Sequence, residues 1–263
     1  MRAFAFALAS SLALAAPAEA APPKRAASLN LCTDELLLML ADPRQIVSVT
    51  HLAQKREETP LWKRARRYRS NDGSLVSVAG LKPDLVLTMG GGARDRVRIA
   101  ERLGMRTLDL AFPQSLGDIK ASIGKVAAAL GRAEAGRRLV ESIGRLERTA
   151  PPGSLDAIWL GGGGRTVPAK GLAADWMRLA GLRQRAVQGD RVSLEQLLVK
   201  PPLLLLRSDY RSGQYSSEQR WLSHPLAGRT RRSRTLLTDG RPWTCMGPAM
   251  VGEIVRLRKA VGA

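Results

Sequence analysis

One segment of the sequence occurs twice in similar form, once at residues 74–87 and again at 193–206. Each copy begins with Ser-Leu, passes through Lys-Pro and ends in an apolar run. This order predicts a short amphipathic helix, a turn and a buried strand. Because a ligand cleft forms readily between two similar α/β halves, the repeated unit favours a two-lobed binding protein.

The first residues have the pattern of a secretory leader. A single positive charge at Arg2 precedes an apolar run over 3–16 and the small-residue triplet Ala-Glu-Ala at 18–20. The run is shorter than the ~20 residues of a membrane-spanning helix, so we expect a signal peptide over 1–20. The first cysteine, Cys32, lies beyond the expected cleavage point, which predicts a soluble exported protein without a lipid anchor.

The chain is strongly basic, with a formal net charge of +19. Such an excess raises the possibility of a nucleic-acid-binding protein, which would bind DNA with a steep salt dependence. The arginines are scattered over most of the length, and aromatic residues do not interleave with them as in single-strand binders. We therefore expect no nucleic-acid partner and interpret the charge as a solvated surface, with some arginines facing an anionic ligand.

Strand and helix patterns alternate on both sides of a long helical segment. Apolar runs at 27–31 and 46–50 flank a helical pattern, which is typical of a parallel α/β sheet. Apolar residues then recur at helical spacing from 119 to 146, before Pro-Pro-Gly at 151–153. The sequence predicts an N-terminal α/β lobe over 24–113, a connecting helix over 114–150 and a C-terminal α/β lobe over 151–263.

The two cysteines, Cys32 and Cys245, lie near opposite ends of the mature chain. Disulfides form readily in exported proteins, and a bridge closing so long a loop would stabilise the fold by on the order of 4 to 5 kcal/mol. The geometry that such a bridge needs cannot be read from sequence. A disulfide and two free thiols both remain open at this stage.

Four segments together resemble a known family. They are residues 28–38, Leu-Lys-Pro-Asp-Leu-Val at 81–86, Ser-Leu-Glu at 193–195 and Trp-Thr-Cys-Met-Gly-Pro at 243–248. In this order, with the leader and the central helix, they resemble the periplasmic substrate-binding proteins of ABC importers for ferric siderophores, haem and vitamin B12. The resemblance covers essentially the whole mature chain.

The resemblance implies two Rossmann-like α/β lobes joined by one long α-helix, with the ligand in the cleft between them. It also implies a monomer in the periplasm that delivers an iron or cobalt chelate to an inner-membrane ABC permease and its ATPase, with no cofactor of its own. In the family, a glutamate on each lobe docks onto the permease. Glu195 stands at the second-lobe position, whereas the first lobe has Val76 there, with Asp72 the nearest acid.

Ligands of α/β sheets bind at loops beyond the carboxyl ends of the strands. Aromatic, glycine and arginine residues in these loops suit a large, flat chelate, and the candidate ligand contacts are Trp62, Tyr68, Gly91, Arg94, Arg165, Tyr210, Arg211 and Trp243. For each aromatic, simple cover of loop backbone is an open alternative. His51 and the tyrosines, including Tyr215, are candidates for metal ligation, although a lone loop histidine is more often an ordinary polar residue.

Catalytic and nucleotide-binding motifs are missing from the sequence. Neither glycine loop, at 90–92 or 161–164, matches a P-loop or a full dinucleotide fingerprint, and close approach of the backbone to a bulky ligand explains them equally well. There is no nucleophile elbow and no His-Glu-x-x-His. We expect a binding protein without catalytic residues; the alternative is an exported metal-chelate enzyme or chelatase on the same architecture.

Overall fold

The computed structural model describes residues 21–90, 94–214, 216–228 and 233–262, with the side chains of 94–96, 226 and 228 left aside. The predicted leader and the candidates Gly91 and Tyr215 lie outside the described residues. Within the described ranges, no helix combines the length and apolar character needed to cross a membrane.

The first lobe is a five-stranded parallel sheet with the strand order β3-β2-β1-β4-β5. Its elements are β1 (Ala26–Ser28), α1 (Leu31–Leu40), β2 (Ile46–Thr50), α2 (Trp62–Ala65), β3 (Arg69–Asn71), α3 (Leu75–Ala79), β4 (Leu85–Met89), α4 (Arg94–Arg102) and β5 (Arg106–Leu110), with a 3₁₀ turn at Pro43–Gln45. The strand-helix alternation predicted from the sequence is present throughout this lobe.

Two helices, α5 (Leu116–Ala129) and α6 (Ala133–Arg148), connect the lobes. The single long connecting helix expected from the sequence is wrong, because Gly131 adopts φ +67°, a left-handed conformation that ends a helix. The two helices fold back on each other, so that Gly136 packs against Ala127 and Lys120 Nζ lies 2.9 Å from a carboxylate oxygen of Glu147. The apolar period continues on both sides of the turn, which is why the pattern alone resembles one helix.

The second lobe is a four-stranded parallel sheet with the order β7-β6-β8-β9. Its elements are β6 (Leu155–Leu160), α7 (Leu172–Leu179), β7 (Leu182–Gln184), α8 (Leu194–Val199), β8 (Leu204–Ser208), α9 (Ser217–Ser223), α10 (Pro225–Gly228), β9 (Arg234–Thr238), α11 (Pro242–Cys245) and α12 (Met250–Val261), with a 3₁₀ turn at Gly162–Gly164. Two α/β lobes with parallel sheets are thus confirmed.

The repeated unit of the sequence occupies the same place in both lobes. Ser74 caps α3 and Ser193 caps α8, each accepting a hydrogen bond from a backbone N–H three residues on. The strands that follow, β4 and β8, each lie between two parallel neighbours. A strand in that position is buried on both faces, which explains the uninterrupted apolar runs in the sequence.

The side chains of the two repeated strands alternate between two cores. Leu87 and Leu206 belong to one large apolar cluster that also includes residues of α5 and α6. Val86 and Leu205 point the other way, into two smaller clusters, one for each lobe. The lobes are therefore joined by a shared core, and each keeps a core of its own.

A covalent bond also joins the lobes. Cys32 in α1 and Cys245 in α11 form a disulfide with a Cα–Cα distance of 5.2 Å across 213 residues of sequence. Beside it, the buried carboxylate of Glu35 accepts a hydrogen bond of 3.0 Å from the backbone N–H of Ala249. The question that the sequence left open is answered by a bridge between α1 of the first lobe and α11 of the second.

Candidate ligand-binding site

The second lobe carries a pocket of about 490 Å³ at the carboxyl ends of β6 and β8. Open α/β sheets bind ligands at this edge. The pocket is lined by aromatic, basic and amide side chains together with hydroxyl groups and one carboxylate: Trp159, Arg165, Thr166, Ser208, Tyr210, Arg211, Gln214, Ser216, Glu218 and Gln219. A larger groove of about 770 Å³ is lined by residues of the α5–α6 hairpin alone, several of them alanines and glycines, and by none at a strand end.

The glycine loop after β6 forms one wall of this pocket. A Cβ on Gly162 would lie 3.1 Å from the Cβ of Glu218, and one on Gly164 would lie 2.9 Å from the Trp221 ring. These glycines therefore let the loop pack closely against α9. In this structure the close approach is to a helix of the same lobe, which is a packing reason for the glycine run.

Arg165 lies at the rim of the pocket in a loose ion-pair network. Its guanidinium is 3.6 Å from a carboxylate oxygen of Glu218 and 3.9 Å from one of Asp190, and its side chain is 54% exposed. Ion pairs this exposed contribute about 0–1 kcal/mol, so they restrain the guanidinium only weakly. Arg165 is therefore available to pair with an anionic group in the pocket.

Tyr210 and Arg211 contact the first lobe through Glu58. The Tyr210 hydroxyl donates to Glu58 Oε2 at 2.7 Å, and Arg211 Nη2 donates to Glu58 Oε1 at 2.5 Å. Burial, followed by the hydrogen bond to Glu58, raises the pKa of Tyr210, and the same carboxylate raises the pKa of Arg211. Sequence reasoning missed Glu58, whose one signal is its place beside Glu57 in an otherwise basic segment.

Trp159 is a second residue that the sequence analysis missed. It stands on β6 just before the glycine loop and lines the pocket, with its ring centroid 5.9 Å from that of Trp243. Its indole Nε1 is buried and has no hydrogen-bond partner among the described residues. A buried indole N–H normally has an acceptor, so this donor is an unsatisfied polar group beside the pocket.

The predicted aromatic contacts do not all meet at the pocket. Trp243 is 5% exposed and donates its Nε1 hydrogen to Thr238 Oγ1, so it is a core residue behind Trp159. Tyr68 is partly buried and packs against the shared core. Trp62 is half-buried, and Arg66 lies 4.7 Å from the centre of its ring. Neither Tyr68 nor Trp62 lines the second-lobe pocket.

The remaining candidates lie at the surface or have no described side chain. His51 is exposed, with Nδ1 3.3 Å from the carbonyl oxygen of Asn71. Arg94 is the first residue of α4, and its side chain is not described. Among the described residues, no group of three or more His, Cys, Asp or Glu side chains is placed to hold a metal ion.

The two positions at which the sequence resemblance predicts permease docking are exposed on equivalent helices. Glu195 lies in the first turn of α8 and is exposed, and Val76 of α3 is 83% exposed. Asp72 accepts a hydrogen bond of 2.8 Å from the backbone N–H of Ser74, and hydrogen bonds from Ser74 lower the pKa of Asp72 to about 2. Asp72 is thus an ionised residue of the turn before α3.

This chain resembles known proteins more in its fold than in its sequence. A family model described as periplasmic binding protein matches residues 27–150, from β1 to the end of the α5–α6 hairpin. The solved structure of the periplasmic heme-binding protein RhuT from Roseiflexus sp. RS-1 superposes with a TM-score of 0.64 at 22% identity, covering 90% of this chain and 98% of RhuT. The fold is that of the periplasmic binding proteins.

Two further structures, of proteins that bind different ligands, show the same architecture. The periplasmic vitamin B12 binding protein BtuF of Vibrio cholerae has a TM-score of 0.63 at 16% identity, with 92% of this chain and 97% of BtuF covered. The siderophore-binding protein BauB, bound to two acinetobactin molecules and ferric iron, has a TM-score of 0.66 at 15% identity, with 92% and 93% covered. No curated protein matches this chain in sequence. The resemblance inferred from the sequence motifs is confirmed.

Proposed function

We propose that this chain is the periplasmic binding component of an ABC importer. In this role it captures a metal chelate, which is a ferric siderophore, a corrinoid or haem, and delivers it to an inner-membrane permease and its ATPase. The observation that carries the proposal is the second-lobe pocket at the carboxyl ends of β6 and β8, within a fold shared with haem, vitamin B12 and siderophore binders.

The pocket residues suit a chelate with both flat apolar and anionic parts. Its volume of about 490 Å³ falls in the range of small-molecule sites. Trp159 and Tyr210 offer aromatic surface, and the guanidinium groups of Arg165 and Arg211 can hold carboxylate or catecholate oxygens with forked hydrogen bonds. The metal enters already chelated and needs no cluster of protein ligands.

Docking onto the permease differs between the lobes in this proposal. Glu195 supplies a carboxylate on α8, whereas Val76 supplies an apolar side chain at the corresponding place on α3. The protein acts as a monomer, and the first turns of α3 and α8 contact two different surfaces of the permease. A charge-reversed Glu195→Lys protein should still bind its chelate but fail to stimulate ATP hydrolysis by the reconstituted importer.

The proposal is tested by a thermal-shift screen of the mature protein against cyanocobalamin, cobinamide, haemin and several ferric siderophores. A ligand that binds only the folded state must raise the melting temperature. We expect one chelate class to do so in the wild type, and less in Arg165→Ala. The matched control is Arg106→Ala, an exposed arginine at the amino end of β5. If no chelate raises the melting temperature at saturation, the carrier function is wrong.

We further propose a carrier and not an enzyme. A carrier binds its chelate stoichiometrically and releases it unchanged. After incubation with the protein and denaturation, the absorption spectrum of the recovered chelate should match that of the starting compound. Multiple turnovers to a metal-free or cleaved product would instead establish the chelatase alternative.

A further inference from the structure

A carboxylate from the first lobe is buried against the pocket of the second. Glu58 lies in the segment between β2 and α2 and is 4% exposed. Its two oxygens accept hydrogen bonds from two residues that line the pocket, Oε2 from Tyr210 and Oε1 from Arg211. Burying a carboxylate is costly unless it is paired and hydrogen-bonded, and here one cation and one hydroxyl satisfy it.

The contact has the composition of a protein site for an organic acid. A guanidinium and a tyrosine hydroxyl converge on one carboxylate, and the interaction is charge-assisted. Arg211 adopts φ +53°, a left-handed conformation that is unfavourable for a non-glycine residue. The surrounding loop therefore holds Arg211 in a disfavoured backbone conformation while its side chain meets Glu58.

The first-lobe segment is fixed to the second lobe at a further point. Arg241 Nη1 donates to the carbonyl oxygen of Arg56 at 3.0 Å, two residues before Glu58. This bond keeps the segment close to the second lobe, independently of the Glu58 side chain. Removing the Glu58 carboxylate should therefore leave the Tyr210 hydroxyl and the Arg211 guanidinium without this acceptor, without displacing the whole segment.

We propose that Tyr210 and Arg211 form a carboxylate subsite of the pocket, and that Glu58 occupies it as an internal competitor in the ligand-free chain. The inference rests on the proposed function in naming the ligand, since it assigns an acidic substituent to the imported chelate. A chelate with a carboxylate exchanges with Glu58, whereas an uncharged chelate has no group to replace it. Glu58 is thus a specificity-determining residue that the ligand must displace.

The first experiment uses citrate, a metal-free carboxylate, as the probe. Glu58→Ala vacates the subsite, and Glu57→Ala, which alters the adjacent exposed acid, is the matched control. At tenfold excess over its dissociation constant, citrate should raise the melting temperature of Glu58→Ala by about 3 °C. The shift should be absent in wild type, in Glu57→Ala and in the double variant Glu58→Ala with Arg211→Gln. Equal shifts in Glu58→Ala and Glu57→Ala would overturn the subsite, as would none in either.

A second variant covers the case in which Glu58→Ala does not fold. Glu58→Gln keeps an amide oxygen for the Tyr210 hydroxyl and removes the charge that pairs with Arg211. It should show the same citrate dependence with a smaller shift. A Glu58→Gln protein that folds but responds to citrate like wild type would overturn the proposal.

The second experiment compares chelates with and without carboxylates by titration. Glu58→Ala should bind haemin, which carries two propionates, about tenfold more tightly than wild type, a gain of ~1.4 kcal/mol. Ferrichrome, which has no carboxylate, should change by less than about twofold. Equal changes for both probes would refute an anion subsite. A positive citrate result with no chelate bound by any variant would instead count against the carrier function and leave the subsite standing.

Discussion

The two lobes repeat one supersecondary unit but use the strand ends differently. In the second lobe, β8 is followed within three residues by Tyr210 and Arg211, which line the pocket. In the first lobe, the segment after β2 reaches across to that pocket and presents Glu58. The repeated unit therefore sets the fold of both lobes, whereas the side chains that line the pocket come from loops outside the repeat.

The largest effect on stability is expected from the disulfide that connects the two lobes. The Cys32–Cys245 bridge closes a loop of 213 residues, for which chain entropy predicts a stabilisation of up to about 5 kcal/mol. We expect the double variant Cys32→Ser/Cys245→Ser to lose stability of this order in chemical denaturation. Its midpoint should match that of reduced wild type and should not respond to reductant. A midpoint equal to that of oxidised wild type would show that the bridge contributes nothing.

The repeated strands should respond alike to the same truncation. Leu87 in β4 and Leu206 in β8 are both 0% exposed in the shared core. Leu87→Ala and Leu206→Ala should each lower the free energy of unfolding by about 3 kcal/mol, through lost burial and the cavity left behind. Leu203→Ala, which alters a residue 59% exposed just before β8, is the control and should be nearly neutral. A large difference between the two core variants would mean that the strands are not equivalent.

Two buried carboxyl groups of α1, those of Glu35 and Asp34, should make stability depend on pH. Burial raises the pKa of Glu35 from 4.5 to about 7, despite the hydrogen bond from Ala249 N–H, and burial raises that of Asp34 from 3.8 to about 7. Between these values the folded chain keeps protons that the unfolded chain has lost. The free energy of unfolding should therefore fall as pH rises from about 4.5 to 7.

Glu35→Gln tests this assignment because it keeps an oxygen for the Ala249 N–H and removes the titration. The pH dependence of its unfolding free energy should be reduced by roughly half, with Asp34 supplying the remainder. The measurement is urea denaturation at several pH values, with Glu57→Gln, an exposed acid, as the control. An unchanged slope in Glu35→Gln would place the titrating group elsewhere.

The smallest effect is expected on the hairpin that links the lobes. Lys120 and Glu147 join α5 to α6 with a separation of 2.9 Å, and both side chains are about one-third exposed. Exposed ion pairs contribute about 0.2–1 kcal/mol, so a double-mutant cycle on this pair should give a coupling below ~1 kcal/mol that shrinks in salt. A coupling of several kcal/mol would mean that the hairpin is held by this pair and not by its apolar packing.

Much of the fold could be predicted from local patterns. The Ser-Leu pairs that begin at Ser74 and Ser193 and the apolar runs of β4 and β8 are local signals, and the structure places helices and strands where they predict. The exception is the connecting segment, where Gly131 ends α5 although the apolar period continues beyond it. The apolar period indicates which face of a helix is buried, but it does not show where the chain reverses direction.

The site was harder to predict because its contacts are distant in sequence. The hydrogen bond from Tyr210 to Glu58 spans 152 residues, and no local pattern marks either partner for the other. The two tryptophans illustrate the same difficulty. Trp243, the predicted ligand contact, is a core residue, whereas Trp159, which was not predicted, lines the pocket. Both outcomes depend on how strand ends meet in space.

The most direct test is a titration of the chelate that raises the melting temperature, carried out on variants of both lobes. Tyr210→Ala and Arg165→Ala alter the second-lobe pocket, and Trp62→Ala and Tyr68→Ala alter the first-lobe candidates outside it. We expect the second-lobe variants to weaken binding by about tenfold or more, ~1.4 kcal/mol each, and the first-lobe variants to change it by less than about threefold. Loss of binding in the first-lobe variants alone would contradict a site built on the second lobe.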